Sequence, residues 1–401
     1  MKKAYQLYDS LIFSASAPTR ATVDLEALRT NYRLLGSRLT EKVRPIAVVK
    51  ADAYGHGAPA CVEALAAEGC DFFAVSCLGE AREVRKACIR IGHRADVLIL
   101  GYTDPTHARE LADLDVIQAL LSPDYAHALA EQAMRCGVRV RVHVALDTGM
   151  HRIGFATHPE SAKLQTLDEI AALHRLPSLS VGGMFSHFST ADAPDDPVAV
   201  ELAARQAQRF ASVKDALRAR KIPTGFCHLC NSAGVLQRTD DFYDGVRLGV
   251  ALYGVDPVDA GALPLRPVMH LETRIVHLHT LLPGETLGYG GDFFADSPRT
   301  VATLPIGYAD GILRAIAGAT VTLHSKTGDH TVRLIGRICM DQCMLDVTDA
   351  DAALGDTVTI FGTDPAQLSA LSRHARTIPY ELLTSVSARV PRFYKNAAQN
   401  Q

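Results

Sequence analysis

The sequence predicts an α/β protein: a (β/α)8 TIM-type barrel followed by a mostly antiparallel β domain. Three observations predict it. Between Arg44 and Tyr253, eight short apolar runs alternate with longer connections, most of them helical in pattern; eight such units in about 230 residues is the size of this barrel. After Pro264 helical periodicity gives way to β-rich runs separated by Gly and Asp turns. The composition, 401 residues with 48% apolar and 21% charged side chains, is that of a globular chain with room for two or three domains. An open doubly wound sheet is the alternative that the same pattern allows.

Composition also excludes several function classes. Lys+Arg (41) nearly balances Asp+Glu (44), so nothing points to a nucleic-acid partner. No apolar run reaches the roughly 18–20 residues that span a bilayer. Nine cysteines, odd in number and unevenly spaced, favour a reducing compartment and a cytoplasmic location. Lys2, Lys3 and Ser14-Ala15-Ser16-Ala17 imitate parts of a secretory signal, but Tyr5, Gln6, Tyr8, Asp9 and Ser10 interrupt the apolar core that a signal needs.

Taken in order, residues 1–20 read as an N-terminal extension and residues 21–264 as the barrel. The first helix spans Asp24–Leu39, with Leu25, Leu28, Tyr32 and Leu35 on one face and Asp24 as its N-cap. Strands follow at Arg44–Lys50, Phe72–Cys77, Val97–Leu100, Val116–Leu121, Val138–Leu146, Leu179–Ser186, Gly225–Leu229 and Gly245–Tyr253. Helical stretches lie between most of them, such as Ala199–Leu217 with Leu202, Gln206, Phe210, Val213 and Leu217 on one side. Residues 265–395 form the β-rich domain. Its strands are His270–Leu281, Thr300–Pro305, Thr320–His324, Thr331–Ile338, Met344–Val347 and Thr357–Phe361, with helical residues 365–385. The tail 396–401 is polar.

In such a barrel, function gathers at the carboxyl ends of the strands. The first strand ends in Lys50. Burial disfavours its ammonium form and yields a nucleophilic amine suited to Schiff-base chemistry; a lysine snorkelling at the rim is the plainer alternative. The other strand ends bring Asp147-Thr148-Gly149-Met150-His151-Arg152, Ser186-His187-Phe188-Ser189, Asn231-Ser232-Ala233-Gly234 and Arg247-Leu248-Gly249-Val250. The last two blocks offer small residues, a hydroxyl and backbone N–H groups where barrels commonly hold a phosphate. A phosphate site beside a strand-end lysine suggests pyridoxal 5′-phosphate. Cys227-His228-Leu229-Cys230 lacks a second ligand pair, and His277-Leu278-His279 lies away from the barrel, so no metal site is assigned.

These blocks resemble the alanine racemase family. The matching motifs are Val49-Lys50-Ala51-Asp52-Ala53-Tyr54-Gly55-His56-Gly57, Asp147 through Gly154, Ser186 through Asp192, Asn231 through Gly234, Arg247-Leu248-Gly249, Gly307-Tyr308-Ala309-Asp310-Gly311, Gly336 through Gln342, and Pro379-Tyr380-Glu381. They occur in family order from about residue 21 to 395. The resemblance implies that Lys50 bears pyridoxal phosphate and serves one face of the substrate Cα, with Tyr308 serving the other. It implies that Tyr54, Ser232, Tyr380 and the N–H groups near Gly249 and Val250 hold the phosphate, with Asn231 in the same block. His187 would pack against the pyridine ring and Arg247 would face its nitrogen. Arg152 and the Met340 backbone would orient the substrate carboxylate. Tyr308, Cys339, Met340 and Asp341 would come from a partner subunit of a homodimer.

One departure stands out. Many family members carry a lysine two residues before the Asp-Thr-Gly-Met block, where it can be carbamylated and supports the arginine; here the residue is Ala145, so Arg152 needs other support. The resemblance implies L-alanine to D-alanine racemisation, supplying cell-wall precursor in a bacterium. The alternatives are a broader-specificity racemase (serine, lysine or arginine), a non-catalytic pyridoxal-phosphate-binding protein and a barrel-type decarboxylase. The second domain with Tyr308 argues against the binding protein, and Gly307 through Gly311 with Arg247 against the decarboxylase.

Overall fold

The computed structural model describes residues 17–238, 241–258, 261 and 263–395. The readings of residues 1–16 and of the tail 396–401 fall outside the described residues. The chain divides into two compact units. One comprises Leu28–Ala53 and Ala58–Leu265; the other contains the described residues up to Ala27, Tyr54–Gly57, and those from Arg266 onward.

Strand β1 (Arg20–Asp24) belongs to the second unit. The first unit contains β2 (Arg44–Val48), β3 (Phe72–Val75), β4 (Asp96–Ile99), β5 (Ile117–Leu120), β6 (Val140–Asp147), β7 (Phe155–Ala156), β8 (Leu179–Phe185), β9 (Phe226–His228) and β10 (Gly245–Leu248). All their pairings are parallel. β10 returns to pair with β2 and β5 pairs with β6, so eight strands close into a barrel, with β7 appended to the end of β6. Every residue of β3, β5 and β10 is buried, as expected of parallel strands covered on both faces. The connections carry helices, the longest being Pro197–Ala219. The short 3₁₀ turn Val250–Tyr253 follows β10. Helix Leu25–Gly36 lies beside that turn: fully buried Asn31 donates to the Leu252 carbonyl at 3.0 Å. Asp24 caps this helix, accepting from Ala27 N–H at 2.8 Å.

The barrel interior is aromatic and polar at its strand-start end. Phe72 on β3 and Phe226 on β9 are not on neighbouring strands, yet their ring centroids lie 5.6 Å apart. His143 on β6 lies 6.4 Å and 6.3 Å from those two rings. A Cβ on Gly183 would stand 2.8 Å from His143 Nε2 and 2.3 Å from the Phe226 carbonyl oxygen, so glycine there makes room for the imidazole. Around this mouth Asp96 bridges Arg44 (2.7 Å) and Arg141 (2.6 Å). Burial raises its carboxyl, but these arginines outweigh that and hold it below the usual carboxylate range.

The second unit is built on one sheet of β1, β11 (Met269–Arg274), β12 (His277–Leu281), β15 (Arg299–Leu304), β16 (Thr320–Ser325), β17 (Gly328–Ile335), β18 (Cys343–Asp346), β19 (Thr357–Phe361) and β20 (Arg392–Lys395), with a hairpin of β13 (Thr286–Leu287) and β14 (Phe293–Phe294). All pairs in this unit are antiparallel except β1 with β20.

Four sequence expectations change. Residues 21–24 start the span read as barrel, but Arg20–Val23 pair with β11 instead. The single strand His270–Leu281 divides at Ile275 and Val276, whose N–H groups bond to Asp356 and Thr303 carbonyls as the chain passes from β19 to β15. The strand Gly245–Tyr253 stops at Leu248, where Gly249 (φ −109°, ψ −113°) turns the chain. The helical span 365–385 is two helices, Pro365–His374 and Pro379–Ser385, because Arg376 is left-handed (φ 54°) and Pro379 cannot continue a helix.

His143 and His228 are 3% and 0% exposed. Burial lowers His143 to about 3 and His228 well below the usual imidazole value. Both are neutral when folded and gain protons on unfolding in acid. Their contribution to stability is therefore complete above pH 6.5 and is lost as pH falls. The loss between pH 6.5 and 5 is about 2 kcal/mol per histidine. Urea midpoints at pH 7 and pH 5 should differ accordingly; coincident midpoints refute the neutral buried pair.

Candidate active site

Lys50 does not end a strand. β2 stops at Val48, Val49 N–H bonds to the Ala74 carbonyl (2.9 Å), and Lys50 opens a tight turn. Ala51, Asp52 and Ala53 all lie near φ 50°, ψ 50°, and Tyr54 has φ 54°. A left-handed turn costs roughly 1–2 kcal/mol per non-glycine residue, so it needs clamps. Ala53 N–H donates to the Val49 carbonyl (3.0 Å). Ala51 N–H donates to Glu80 Oε1 (2.6 Å), while Glu80 Oε2 accepts from Ser76 N–H (2.7 Å). Asp52 Oδ1 accepts from Ala58 N–H (2.7 Å). Burial lowers the Lys50 amine below the usual lysine value; Arg152 and Arg247 lower it further, while Glu80 opposes them.

Arg247, on β10, is 2% exposed and fills the barrel beneath this rim. Its Nη1 donates to His228 Nδ1 (2.6 Å) and to the His228 carbonyl (3.2 Å). Its Nη2 donates to the carbonyls of Ser186 (2.5 Å) and Leu229 (2.7 Å) and to His187 Nδ1 (3.2 Å). None of these acceptors is a carboxylate. Burial lowers the guanidinium to about 10, which still leaves it charged at neutral pH. Burial, then Arg247, Arg152 and Lys50, push His187 well below its usual value and keep it neutral.

Helix Pro197–Ala219 fixes the His187 loop through Gln206. Its Oε1 accepts from Ser189 N–H (2.9 Å) and Oγ (3.0 Å), and its Nε2 donates to the His187 carbonyl (2.9 Å). Arg152 is exposed on a loop shaped by Asp147, whose Oδ1 accepts from Gly149 and His151 N–H groups (both 3.0 Å). It has no carboxylate partner among the described residues. Ala145 lies in an apolar cluster with Ala119 and Phe185, flanked by Leu100 and Leu121.

Asn231 caps the short helix Ser232–Gln237 by accepting from Gly234 N–H (2.9 Å). Ser232 Oγ accepts from Gly249 N–H (2.8 Å), which joins the ends of β9 and β10; Val250 is the next residue. Burial pushes the Cys227 and Cys230 thiols up to about 11 and 12.

In the second unit, Tyr54 and Tyr380 rings lie 6.2 Å apart. Burial, then Tyr380, raise the Tyr54 phenol above its usual value. Tyr308 and Met340 are exposed, and Tyr308 N–H and Ala309 N–H donate to the carbonyls of Cys339 (3.0 Å) and Met340 (2.9 Å). Gly307 permits that approach, since a Cβ there would stand 2.4 Å from both carbonyl oxygens. Buried Asp310 accepts from Gly307 N–H (2.9 Å) and Arg389 Nε (2.7 Å), and Arg389 also bonds Asp341 (2.8 Å).

The structure thus groups Lys50, Arg152, His187 and Arg247 in the barrel, Ser232 with Gly249, Tyr54 with Tyr380, and Tyr308 with Cys339, Met340 and Asp341. Sequence reasoning assigned no role to Glu80, His143, Gln206, His228 or Arg389. Glu80 sits in the first turn of helix Leu78–Arg90 and reads as an ordinary capping acid. Gln206 reads as one polar position on an apolar helix face.

Among the described residues, no helix is long and apolar enough to cross a membrane. Residues 23–257 match the alanine racemase N-terminal domain and residues 268–394 the alanine racemase C-terminal domain. Alanine racemase 1 of Clostridium acetobutylicum is 36% identical over 96% of this chain and 97% of its own length. The alanine racemase of Desulfovibrio desulfuricans is also 36% identical, over 95% and 99%. Among solved structures, the alanine racemase of Clostridium difficile 630 superposes with a TM-score of 0.86 at 34% identity, covering 95% of this chain and 97% of that one. The alanine racemase of Bacillus anthracis with bound L-Ala-P superposes at 0.83 and 28% identity, covering 95% and 96%. Both domains, in order and over nearly the whole length, place this chain in the alanine racemase family.

Proposed function

We propose that the chain interconverts L- and D-alanine with pyridoxal 5′-phosphate, the family's cofactor. One observation carries the reading. Lys50 stands at the rim of the first barrel strand with its amine lowered by burial, Arg152 and Arg247. A lowered amine, which yields free amine more readily, in a cationic setting suits attachment to the aldehyde of an anionic cofactor. The donor set fits that group. Arg247 is a buried cation with no carboxylate among its acceptors, so a phosphate-bearing anion in its field is favoured. Ser232, the Gly249 and Val250 backbone, Asn231, Tyr54 and Tyr380 would hold the phosphate, and His187 would lie against the ring.

When bound, the cofactor supplies an electron sink for the pair left on the substrate Cα. The protein's own work is proton transfer and orientation. Lys50 Nζ takes or returns the proton on one face. The Tyr308 phenol does so on the other, contributed by a second copy of the chain in a homodimer. Exposure of Tyr308 and Met340 on their own unit supports that arrangement. Arg152 and the Met340 backbone orient the substrate carboxylate. Arg247 stays protonated at neutral pH and would offer an N–H to the pyridine nitrogen, leaving that nitrogen without a proton. The ring is then a weaker sink, which limits transamination. The nine cysteines are free thiols, the state a cytoplasmic location maintains.

Chiral chromatography after incubation with a panel of L-amino acids should show D-alanine forming fastest, without CO₂ release. Absence of any enantiomer exchange with the cofactor present refutes the reading. Reconstituted protein should be yellow, and the Lys50→Ala variant should lack the visible band. Tyr308→Phe should lower kcat about a hundredfold or more; full-rate exchange by this variant removes the second base. Arg247→Glu should raise the ratio of transamination to racemisation, and an unchanged ratio discards the role given to Arg247.

A further inference from the structure

Arg247 is the start of a hydrogen-bonded line that crosses the barrel. A guanidinium has donors only. His228 Nδ1, 2.6 Å from Arg247 Nη1, must therefore be the accepting, unprotonated nitrogen. The His228 proton is then on Nε2, which lies 3.2 Å from His143 Nδ1. That contact is a hydrogen bond only if His143 Nδ1 accepts, which places the His143 proton on Nε2. At the other end, His187 Nδ1 accepts from Arg247 Nη2 by the same rule. One chemical fact, that arginine only donates, fixes the His228 tautomer, and the His228–His143 contact carries that order to His143.

We propose that His143 is a positioning residue for the reaction: by accepting from His228 it locks the tautomer in which His228 accepts from Arg247, and so holds the guanidinium in place. The surroundings support this role. His143 is wedged between Phe72, Phe226 and the bare backbone of Gly183, which leaves the ring little freedom to rotate. His228 is stacked on Phe185 (5.0 Å, 7° between planes), with the Arg247 guanidinium carbon 5.5 Å from the same ring. The charged groups that act on His143 are Arg141, two residues away on its own strand, and Asp96 on β4, themselves paired. With Arg44, they line a cleft at the strand-start mouth that also reaches His143. The line thus joins the rim bearing Lys50 to the opposite mouth.

Without an acceptor at the His143 position, His228 keeps its proton on Nε2 only by leaving it unbonded in a dry interior. The other tautomer aims Nδ1–H at Arg247, a donor facing a donor. Either outcome shifts Arg247, and the consequence for the cofactor rests on the role proposed above for that arginine.

The test uses the holoenzyme labelled with ¹⁵N-histidine, and long-range ¹H–¹⁵N correlation reads the tautomers directly. In the wild type, His228 and His143 should each be neutral with the proton on Nε2. A His228 proton on Nδ1, or a charged ring, overturns the proposal. His143→Phe keeps ring volume but removes the acceptor; it should give mixed His228 tautomers and several-fold more transamination per turnover. His143→Asn places Oδ1 near the lost Nδ1 and should restore both readouts. Unchanged tautomer and transamination ratio in His143→Phe overturn the proposal, whatever happens to thermal stability. If neither variant folds, the wild-type tautomers still decide. The assigned tautomers in a protein that never racemises would refute the functional reading and leave this one standing; the wrong tautomer in an active racemase would do the reverse.

Discussion

A positive charge buried without a negative one organises this molecule. Arg247 sits in the barrel with five acceptors, three carbonyls and two imidazoles, and no carboxylate among them. Burying an ion uncompensated is expensive. The barrel limits the cost by surrounding the guanidinium with oriented dipoles from the ends of β8 and β9. Burial, then Arg152, lower the amine of Lys50, and the Arg247 field adds to them; burial and that field keep His187 neutral. A carboxylate at Arg247 would cancel that contribution to the field at Lys50 and His187. The missing counter-ion is thus part of the site's chemistry.

The barrel's two ends divide the labour. At the strand starts, the Arg44–Asp96–Arg141 bridges and the Phe72, Phe226 and His143 rings line a cleft. At the strand ends, loops carry the chemistry and are fixed by polar side chains. Gln206 holds the His187 loop, Glu80 the Lys50 turn and Asp147 the Arg152 loop. In each case a backbone N–H or carbonyl is the point held, so the clamp sets the path of the chain and leaves the functional side chain free to act.

Much of the fold was legible because parallel strands buried on both faces read as continuous apolar runs; the eight barrel runs all correspond to strands. Strand β1 was not legible. Arg20–Asp24 is short, and its partners β11 and β20 lie about 250 and 370 residues away in sequence, too far for a local pattern to register. The break between β11 and β12 was hidden for a related reason: the strand changes partners without a Gly or Pro to mark it. At the site, residues in compact motifs such as Val49 through Gly57 announced themselves. His143 did not, because a lone histidine in an apolar strand looks like a satisfied core residue; only the donor-only nature of Arg247, two contacts away, gives it meaning. The apolar setting of Ala145 was equally invisible, since it depends on Ala119 and Phe185 from the adjacent strands.

The turn that carries Lys50 has a consequence for anyone seeking a hardier version of this protein. Ala51 and Ala53 are held at dihedrals that glycine adopts freely, so exchange for glycine relieves strain there and can raise melting temperature. The same exchange would loosen the hinge on which the anchoring amine is mounted. Selection for heat resistance and selection for turnover would therefore pull this short segment in opposite directions, and a library screened on survival alone would drift toward sturdier, slower proteins.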